Sequence, residues 1–197
     1  MRLSLRVGCI AFGSALLFGA GAPVRTSDTA IAAIDRECAD SIDRVIGGEP
    51  VAFGRIFAND DGGTWRVADG TMLHRIVADP NIYSEVAKAW SLEGHVILVN
   101  VEERSLDIQA YSTYCFRVNG ALARVSESTS GMRVRDDETR YFDSSGALVA
   151  SQSHFYNIYA NLGNALSPDL RPSTPSLYLR VETLPFYSLM RAADAAR

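Results

Sequence analysis

Apolar residues near the start of the chain recur every three or four positions, with charged residues between them. This spacing places the apolar side chains along one face of a helix. The stripe consists of Ile31, Ile34, Cys38, Ile42, Val45 and Ile46. We therefore predict an amphipathic helix over residues 31–46 that ends at Gly47 and packs its apolar face on the protein's own sheet.

A second helical pattern starts at Pro80, directly after the capping residue Asp79. Proline is favoured in the first turn of a helix, because its missing N–H costs no hydrogen bond there. Four apolar residues then fall on one face: Tyr83, Val86, Ala87 and Trp90. The pattern predicts a helix from Pro80 to about Trp90 that stops before Gly94.

From His95 onward the apolar period becomes that of strands. The segment from Ile108 to Phe116 alternates, so one of its faces points inward and the other is more polar. Short strands joined by turns are also predicted between Glu49 and Asp79. The strands predicted after His95 cover residues 95–102, 106–116, 121–128, 139–142 and 148–156.

One short segment occurs twice in this region. Phe116-Arg117-Val118-Asn119-Gly120-Ala121-Leu122 returns as Phe142-Asp143-Ser144-Ser145-Gly146-Ala147-Leu148, with Phe, Gly, Ala and Leu in step. Glycine adopts the positive φ that tight β-turns require, so each copy predicts a hairpin. Two hairpins in succession indicate an antiparallel meander.

The C-terminal part begins with a loop over residues 163–176, which holds three prolines among polar residues. Leu177 to Glu182 is predicted as one more strand. Pro185 then opens a short terminal helix with an apolar face.

The fold class predicted from these patterns is α+β. An antiparallel β-meander sheet of about five to seven strands is covered on one face by the N-terminal helix and the second helix, with a short C-terminal helix. Removing residues 1–22 leaves 175 of the 197 residues, which suits one domain over residues 23–197.

Residues 1–22 have the pattern of a secretory signal peptide. Arg2 and Arg6 precede an apolar stretch from Val7 to Ala22, which is shorter than the roughly 20 apolar residues of a comfortable membrane span. We expect cleavage and export to the periplasm or the medium, with no stable membrane span afterwards. An uncleaved membrane anchor is the alternative.

The exported part keeps two cysteines, Cys38 and Cys115. An even pair in an oxidising compartment favours one disulfide between them. Two buried free thiols are the alternative, because both residues lie in apolar surroundings.

The charge and the motifs restrict the function. A net charge of −4 and a pI near 5.4 argue against a nucleic-acid partner, which needs a clustered positive surface. The histidines His74, His95 and His154 are isolated, without the spacing of a zinc motif. The sequence has no Gly-x-Ser-x-Gly elbow and no glycine-rich phosphate loop. We therefore assign no catalytic, cofactor-binding or metal residue, and no cofactor.

Two functions are left. The first is an exported bacterial binding or envelope-associated module, non-enzymatic, whose partner is a protein, an envelope component or a small apolar ligand. The alternative is a small α+β cavity enzyme of isomerase or hydratase type, with Tyr111, Tyr114 and Asp107 on strands that could line its pocket. A deep cavity with an inward carboxylate favours the enzyme, and a filled core favours the module.

Overall fold

The computed structural model describes residues 26–57, 63–79, 82–106, 108–131, 134–157 and 177–195. The predicted signal peptide, Asp107 and the predicted loop over residues 163–176 lie outside these ranges. The elements in chain order are α1 (Thr26–Val45), β1 (Val51–Phe57), β2 (Arg66–Val67), α2 (Gly70–Ala78), β3 (Tyr83–Leu92), β4 (His95–Arg104), β5 (Ile108–Phe116), β6 (Leu122–Gly131), β7 (Val134–Phe142), β8 (Leu148–Asn157), a 3₁₀ turn (Val181–Thr183) and α3 (Tyr187–Ala195).

The strands form one antiparallel sheet in the order β2-β1-β3-β4-β5-β6-β7-β8. From β3 to β8, each strand pairs with the strand that follows it in the chain. The predicted α+β meander is therefore confirmed, but the sheet has eight strands instead of five to seven.

The two copies of the repeated segment form matching hairpins. Gly120 and Gly146 have φ values of 79° and 86°, as the tight turns require. In each copy the residue after the phenylalanine exchanges backbone hydrogen bonds across the turn: Arg117 N–H donates to Ala121 at 2.8 Å, and Asp143 N–H donates to Ala147 at 3.0 Å. Each ladder also shifts register at its phenylalanine. The hairpin prediction is confirmed in both copies.

The helix predicted from Pro80 to Trp90 is wrong, because residues 83–92 form strand β3. This strand lies between β1 and β4 and buries residues on both of its faces, among them Ala87 and Trp90. A strand buried on both sides lacks simple alternation and can imitate helical spacing. Gly94, expected to stop that helix, instead lies in the β3–β4 turn with a φ of 79°.

The second helix lies earlier, at Gly70–Ala78, where short strands and turns had been predicted. Asp69 caps it, since its carboxylate accepts a hydrogen bond from Met72 N–H at 2.8 Å. Asp79, the predicted N-cap, stands at its C-terminal end. Met72 packs against Gly54 of β1, so α2 lies beside that strand.

Helix α1 covers one face of the sheet, which we call the first face. Its buried residues Ile34, Cys38 and Val45 pack on a row of side chains that crosses six strands. A helix of 20 residues is about 30 Å long, which spans the roughly 24 Å width of six strands. The row consists of Trp90, Leu98, Cys115, Arg124, Tyr141 and Ala150.

The C-terminal segment covers the opposite, second face. Val181, Leu184, Phe186 and Met190 are buried in one cluster with Phe53, Trp65 and other residues of that face. The strand predicted over residues 177–182 is wrong: the segment makes one bridge, from Ala121 to Arg180, and then a 3₁₀ turn. The predicted terminal helix is confirmed as α3.

Helix α1 and the C-terminal segment both lie near the hairpin turns at Gly94, Gly120 and Gly146. We call this end of the sheet the inner half, and the opposite ends of β4–β8 the outer half. Among the described residues, no helix is both long and apolar enough to cross a membrane.

Candidate functional site

Cys38 and Cys115 form a disulfide bond that joins the middle of α1 to β5, with a Cα–Cα distance of 5.9 Å. Both residues are fully buried. The bond closes a loop across 77 residues, for which the chain-entropy model gives about 4.5 kcal/mol. The sequence left two free thiols open as an alternative, and the structure has the bridge. Because both sulfur atoms are bonded, neither is a nucleophile here.

Ion pairs on both sides of the disulfide hold α1 in place. Arg124 donates to Asp35 of α1 at 2.7 Å, and Arg117 lies 3.3 Å from Glu37. Tyr141 donates to Asp35 at 3.4 Å. Burial and the negative charge of Asp35 both raise the pKa of Tyr141. These contacts attach helix α1 to the sheet.

The predicted pocket residues Tyr111 and Tyr114 do not come together. They are three positions apart on one strand, so their side chains lie on opposite faces. Tyr114 is buried on the second face, while Tyr111 is 45% exposed on the first. Asp107 lies outside the described residues. The structure therefore does not build the predicted pocket from these residues.

The three histidines lie far apart on different elements. His74 lies on α2, His95 begins β4, and His154 lies on β8, all of them exposed. In the described part of the chain, His, Cys, Asp and Glu side chains form no group of three that could hold a metal ion.

A buried ion pair lies on the second face, next to Tyr114. Glu127 of β6 pairs with Arg140 of β7, and the Glu127 side chain is only 4% exposed. Its Oε1 atom has no hydrogen-bond partner among the described residues. Burial raises the pKa of Glu127, an effect larger than the opposing influence of Arg140. Burial, and then the nearby Glu127, also raise the pKa of Tyr114.

A second polar cluster lies on the same face at β1, β3 and β4. Arg55 binds Glu85 through two nitrogens at 2.9 and 2.6 Å. Its guanidinium also lies 4.6 Å from the ring centre of Phe57 and 5.2 Å from that of Trp65. Tyr83 donates to Glu103 at 3.0 Å. Burial and this hydrogen bond raise the pKa of Tyr83 to about 12.

A small cavity of about 60 Å³ lies beside these groups. Around it the second face is filled by aromatic side chains, with Phe53 and Phe186 stacked at 5.1 Å and Trp65 at 4.8 Å from Phe186. The cavity is lined by Arg55, Glu85, Val101, Glu103, Ala110, Ser112, Tyr114 and Tyr178.

A larger groove of about 330 Å³ lies at the turn end, between the hairpin tips and α3. Its charged side chains are of both signs, since Arg191 is basic and Glu182 and Asp194 are acidic. Glu182 is already paired, since Arg180 donates to it at 3.1 Å.

The outer half of the first face carries two rows of polar side chains, which we call the outer polar rows. They run side by side across β4–β8, about 19 Å wide for five strands. The first row is Glu102, Tyr111, Ser128, Asp137 and His154. The second row is Arg104, Gln109, Ser130, Arg135 and Tyr156.

The four charges of the outer polar rows neutralise one another. Arg104 donates to Glu102 at 3.0 Å, and Arg135 donates to Asp137 at 2.8 Å. Although partial burial opposes it, hydrogen bonding from Arg135 and Ser128 lowers the pKa of Asp137. The rows therefore form a polar surface without net charge.

Two tyrosines of this surface have exposed side chains. Tyr156 is 52% exposed and Tyr111 is 45% exposed. The amide of Gln109 donates to the Tyr111 hydroxyl, which lies 3.5 Å from Glu102. Hydrogen bonds to neighbouring side chains hold the Tyr111 ring at its position in the row.

Sequence reasoning missed Glu127, Arg140 and the outer polar rows. The available signal was that Glu127 lies two positions after the apolar Val125 on the same strand. Residues two apart on a strand share a face, so Glu127 faces the core as Val125 does. The rows, in contrast, depend on the register of five strands. That register cannot be read from any one stretch of the sequence.

No protein-family model, curated protein or solved structure matches this chain.

Proposed function

We propose that this protein is an exported, non-enzymatic binding module whose outer polar rows recognise a neutral, hydroxyl-rich component of the bacterial envelope, of the chemical class of a glycan. The observation that carries the proposal is the partly exposed, charge-balanced surface of these rows, in which Tyr111, Arg135, His154 and Tyr156 are exposed.

Charge selects the ligand class. Both carboxylates of the rows, Glu102 and Asp137, are bonded to arginines of the same rows. An anionic polymer would meet two acids, and a cationic one would meet two bases. A neutral ligand rich in hydroxyl groups can instead exchange hydrogen bonds with the serine, glutamine and histidine side chains.

The two tyrosines supply apolar contact area. A tyrosine ring offers a flat face to an apolar patch and a hydroxyl to a polar group, at a small cost in conformational entropy. Tyr111 lies on β5 in the first row and Tyr156 on β8 in the second row, so three strand spacings and a two-residue offset separate them by about 16 Å. Two rings at that separation favour an extended ligand over a compact one.

The alternative, a small cavity enzyme, has less support. The second face does hold an inward carboxylate, Glu127, beside Tyr114. However, the cavity near them is about 60 Å³, below the roughly 300 Å³ at which ligand pockets begin. Aromatic side chains occupy the space that a substrate would need.

The test is a binding screen of the purified protein against arrayed neutral and acidic glycans, followed by calorimetry with the best neutral glycan. We expect retention on neutral glycans. Removing a ring by Tyr111→Ala or Tyr156→Ala should weaken binding about tenfold each, as loss of an aromatic contact does in other interfaces.

Tyr83→Ala is the matched control, because Tyr83 is 37% exposed but lies on the second face. It should leave binding unchanged. Retention on acidic glycans alone, or equal losses in all three variants, would overturn the proposal.

A further inference from the structure

The two copies of the repeated segment differ at the tips of their hairpins. The first tip carries Val118, which is 58% exposed, at the position where the second tip carries Ser144. Polar residues are typical of tight turns, because their side chains bond to the backbone of the turn. In the second copy Asp143 does so and accepts a hydrogen bond from Ser145 N–H at 2.8 Å. The exposed valine of the first tip offers its turn no such bond.

Val118 lines the groove between the hairpin tips and α3, which we call the turn-end groove. The C-terminal segment is bonded directly to this tip, since Val181 N–H donates to the Gly120 carbonyl at 2.9 Å and Arg180 donates to the Asn119 carbonyl at 3.3 Å. The wall of the groove is therefore formed before any ligand binds, which lowers the entropy cost of binding. Its volume of about 330 Å³ reaches the roughly 300 Å³ at which ligand pockets begin.

The floor of the turn-end groove is apolar. Met190 of α3 and Val96 of β4 are both buried and both line it. With the exposed Val118 at the hairpin tip, they offer apolar surface from the floor to the rim. One face of α3 supplies four lining residues at helical spacing: Tyr187, Met190, Arg191 and Asp194.

The charges of the turn-end groove leave one basic and one acidic group for a ligand. Glu182 is already bonded to Arg180 through two nitrogens, at 3.1 and 3.3 Å. In the described part of the chain, the side chains of Arg191 and Asp194 form no ion pair and no hydrogen bond. They are three positions apart on one helix, which is about 4.5 Å along its axis. A ligand with both a carboxylate and an ammonium group can therefore meet an opposite charge at each end.

We propose that the turn-end groove binds a small zwitterion with an apolar side chain, of the chemical class of a free apolar α-amino acid. The ligand's carboxylate pairs with Arg191, its ammonium group pairs with Asp194, and its side chain lies between the floor and Val118. Both charged groups of an α-amino acid are attached to one carbon atom, so they can reach two side chains one helical turn apart. A ligand with a single charge leaves either Arg191 or Asp194 without a partner.

Calorimetric titration of the purified protein with L-leucine tests the proposal. We expect saturable binding with a Kd below about 1 mM. N-acetyl-leucine lacks the ammonium charge and leucinamide lacks the carboxylate, so each should bind about tenfold more weakly than leucine. Glycine keeps both charges but has no apolar side chain to bury, so it should bind more weakly by at least about tenfold.

Substitutions place the ligand in the turn-end groove. Arg191→Gln and Asp194→Asn should each weaken leucine binding about tenfold. Arg36→Gln is the matched control, because it removes the same charge from an exposed position of α1 and should leave binding unchanged. Val118→Ser introduces the residue that the matching second hairpin already has, so it should preserve the turn and weaken leucine binding about threefold.

Absence of leucine binding at about 10 mM would overturn the proposal, as would equal affinities for leucine and N-acetyl-leucine. Unchanged leucine binding by both Arg191→Gln and Asp194→Asn would overturn it as well. The comparison of leucine with its analogues needs no substitution, so it decides the question even where a variant loses stability. The turn-end groove and the outer polar rows lie at opposite ends of the strands, and no glycan is used here. The result is therefore independent of what the outer polar rows bind.

Discussion

On the first face of the sheet, the inner and outer halves of the same strands differ in burial. Strand β5 passes from Tyr114, Cys115 and Phe116, all buried, to the half-buried Gln109 in the outer half. Strand β6 changes in the same way, from buried Leu122 to half-buried Ser130. Helix, disulfide and aromatic cluster all belong to the inner half.

This division separates the main source of stability from the surface that we propose for recognition. The inner half buries apolar surface on both faces, which is the main source of folding free energy. The outer half extends from strands that are already aligned by the hairpins, so its side chains on the first face need not contribute to a core. Substitutions in the two halves should therefore differ in how much they lower the free energy of unfolding.

The largest effect is expected at the disulfide. Replacing Cys38 and Cys115 together by alanine should lower the free energy of unfolding by about 4 kcal/mol and the melting temperature by about 10 °C. Urea unfolding and calorimetry measure both quantities. An unchanged urea midpoint would show that the bond does not support the inner half.

A slightly smaller effect is expected in the aromatic cluster. Phe186 is 1% exposed and stacks on Phe53, so Phe186→Ala should destabilise the protein by about 3 to 4 kcal/mol. Leu179 lies in the same C-terminal segment but is 41% exposed. Leu179→Ala is the control. A loss of stability as large as that of Phe186→Ala would contradict the conclusion that Phe186, and not Leu179, packs on the second face.

Glu127 should make stability depend on pH. Because burial raises its pKa in the folded state, the folded protein binds more protons than the unfolded chain above pH about 4.5, and stability falls as pH rises through that window. Glu127→Gln keeps a hydrogen-bond acceptor for Arg140 and removes this fall. Its stability relative to the original protein should therefore increase from pH 4 to pH 7 in urea unfolding series.

Replacement of the exposed Glu49 by glutamine controls for the loss of a carboxylate at the surface. If Glu127→Gln and the original protein kept a constant difference in stability across the pH range, Glu127 would not be the group responsible.

The smallest effect is expected in the outer polar rows. His154 is exposed on β8, so His154→Ala should change the free energy of unfolding by less than about 0.5 kcal/mol. Thermal unfolding measures the change. A loss above about 2 kcal/mol would mean that the outer half carries part of the core after all.

Local signals predicted much of the inner half. The apolar stripe placed α1, and the glycines of the repeated segment placed the hairpins, because both signals lie within a few neighbouring residues. Even here the ends differ: Ile46 was placed in the stripe but is 52% exposed, beyond the last residue of α1.

The errors arose where partners distant in sequence decide the structure. Residues 83–92 have helical spacing, yet pairing with β1 and β4 makes them a strand. The outer polar rows and the Glu127–Arg140 pair depend on strand register, which no local pattern specifies. The signal peptide and export are still predictions from the sequence alone.

The disulfide also determines how the molecule would carry a mechanical load. A pull applied between the start of α1 and the end of the chain passes from Cys38 directly to Cys115 through the covalent bond. The 76 residues between them, which include β1–β4 and α2, are bypassed and bear no tension. Force therefore enters the sheet at its interior strand β5, so a stretched molecule would keep β1–β4 folded while its C-terminal strands yield.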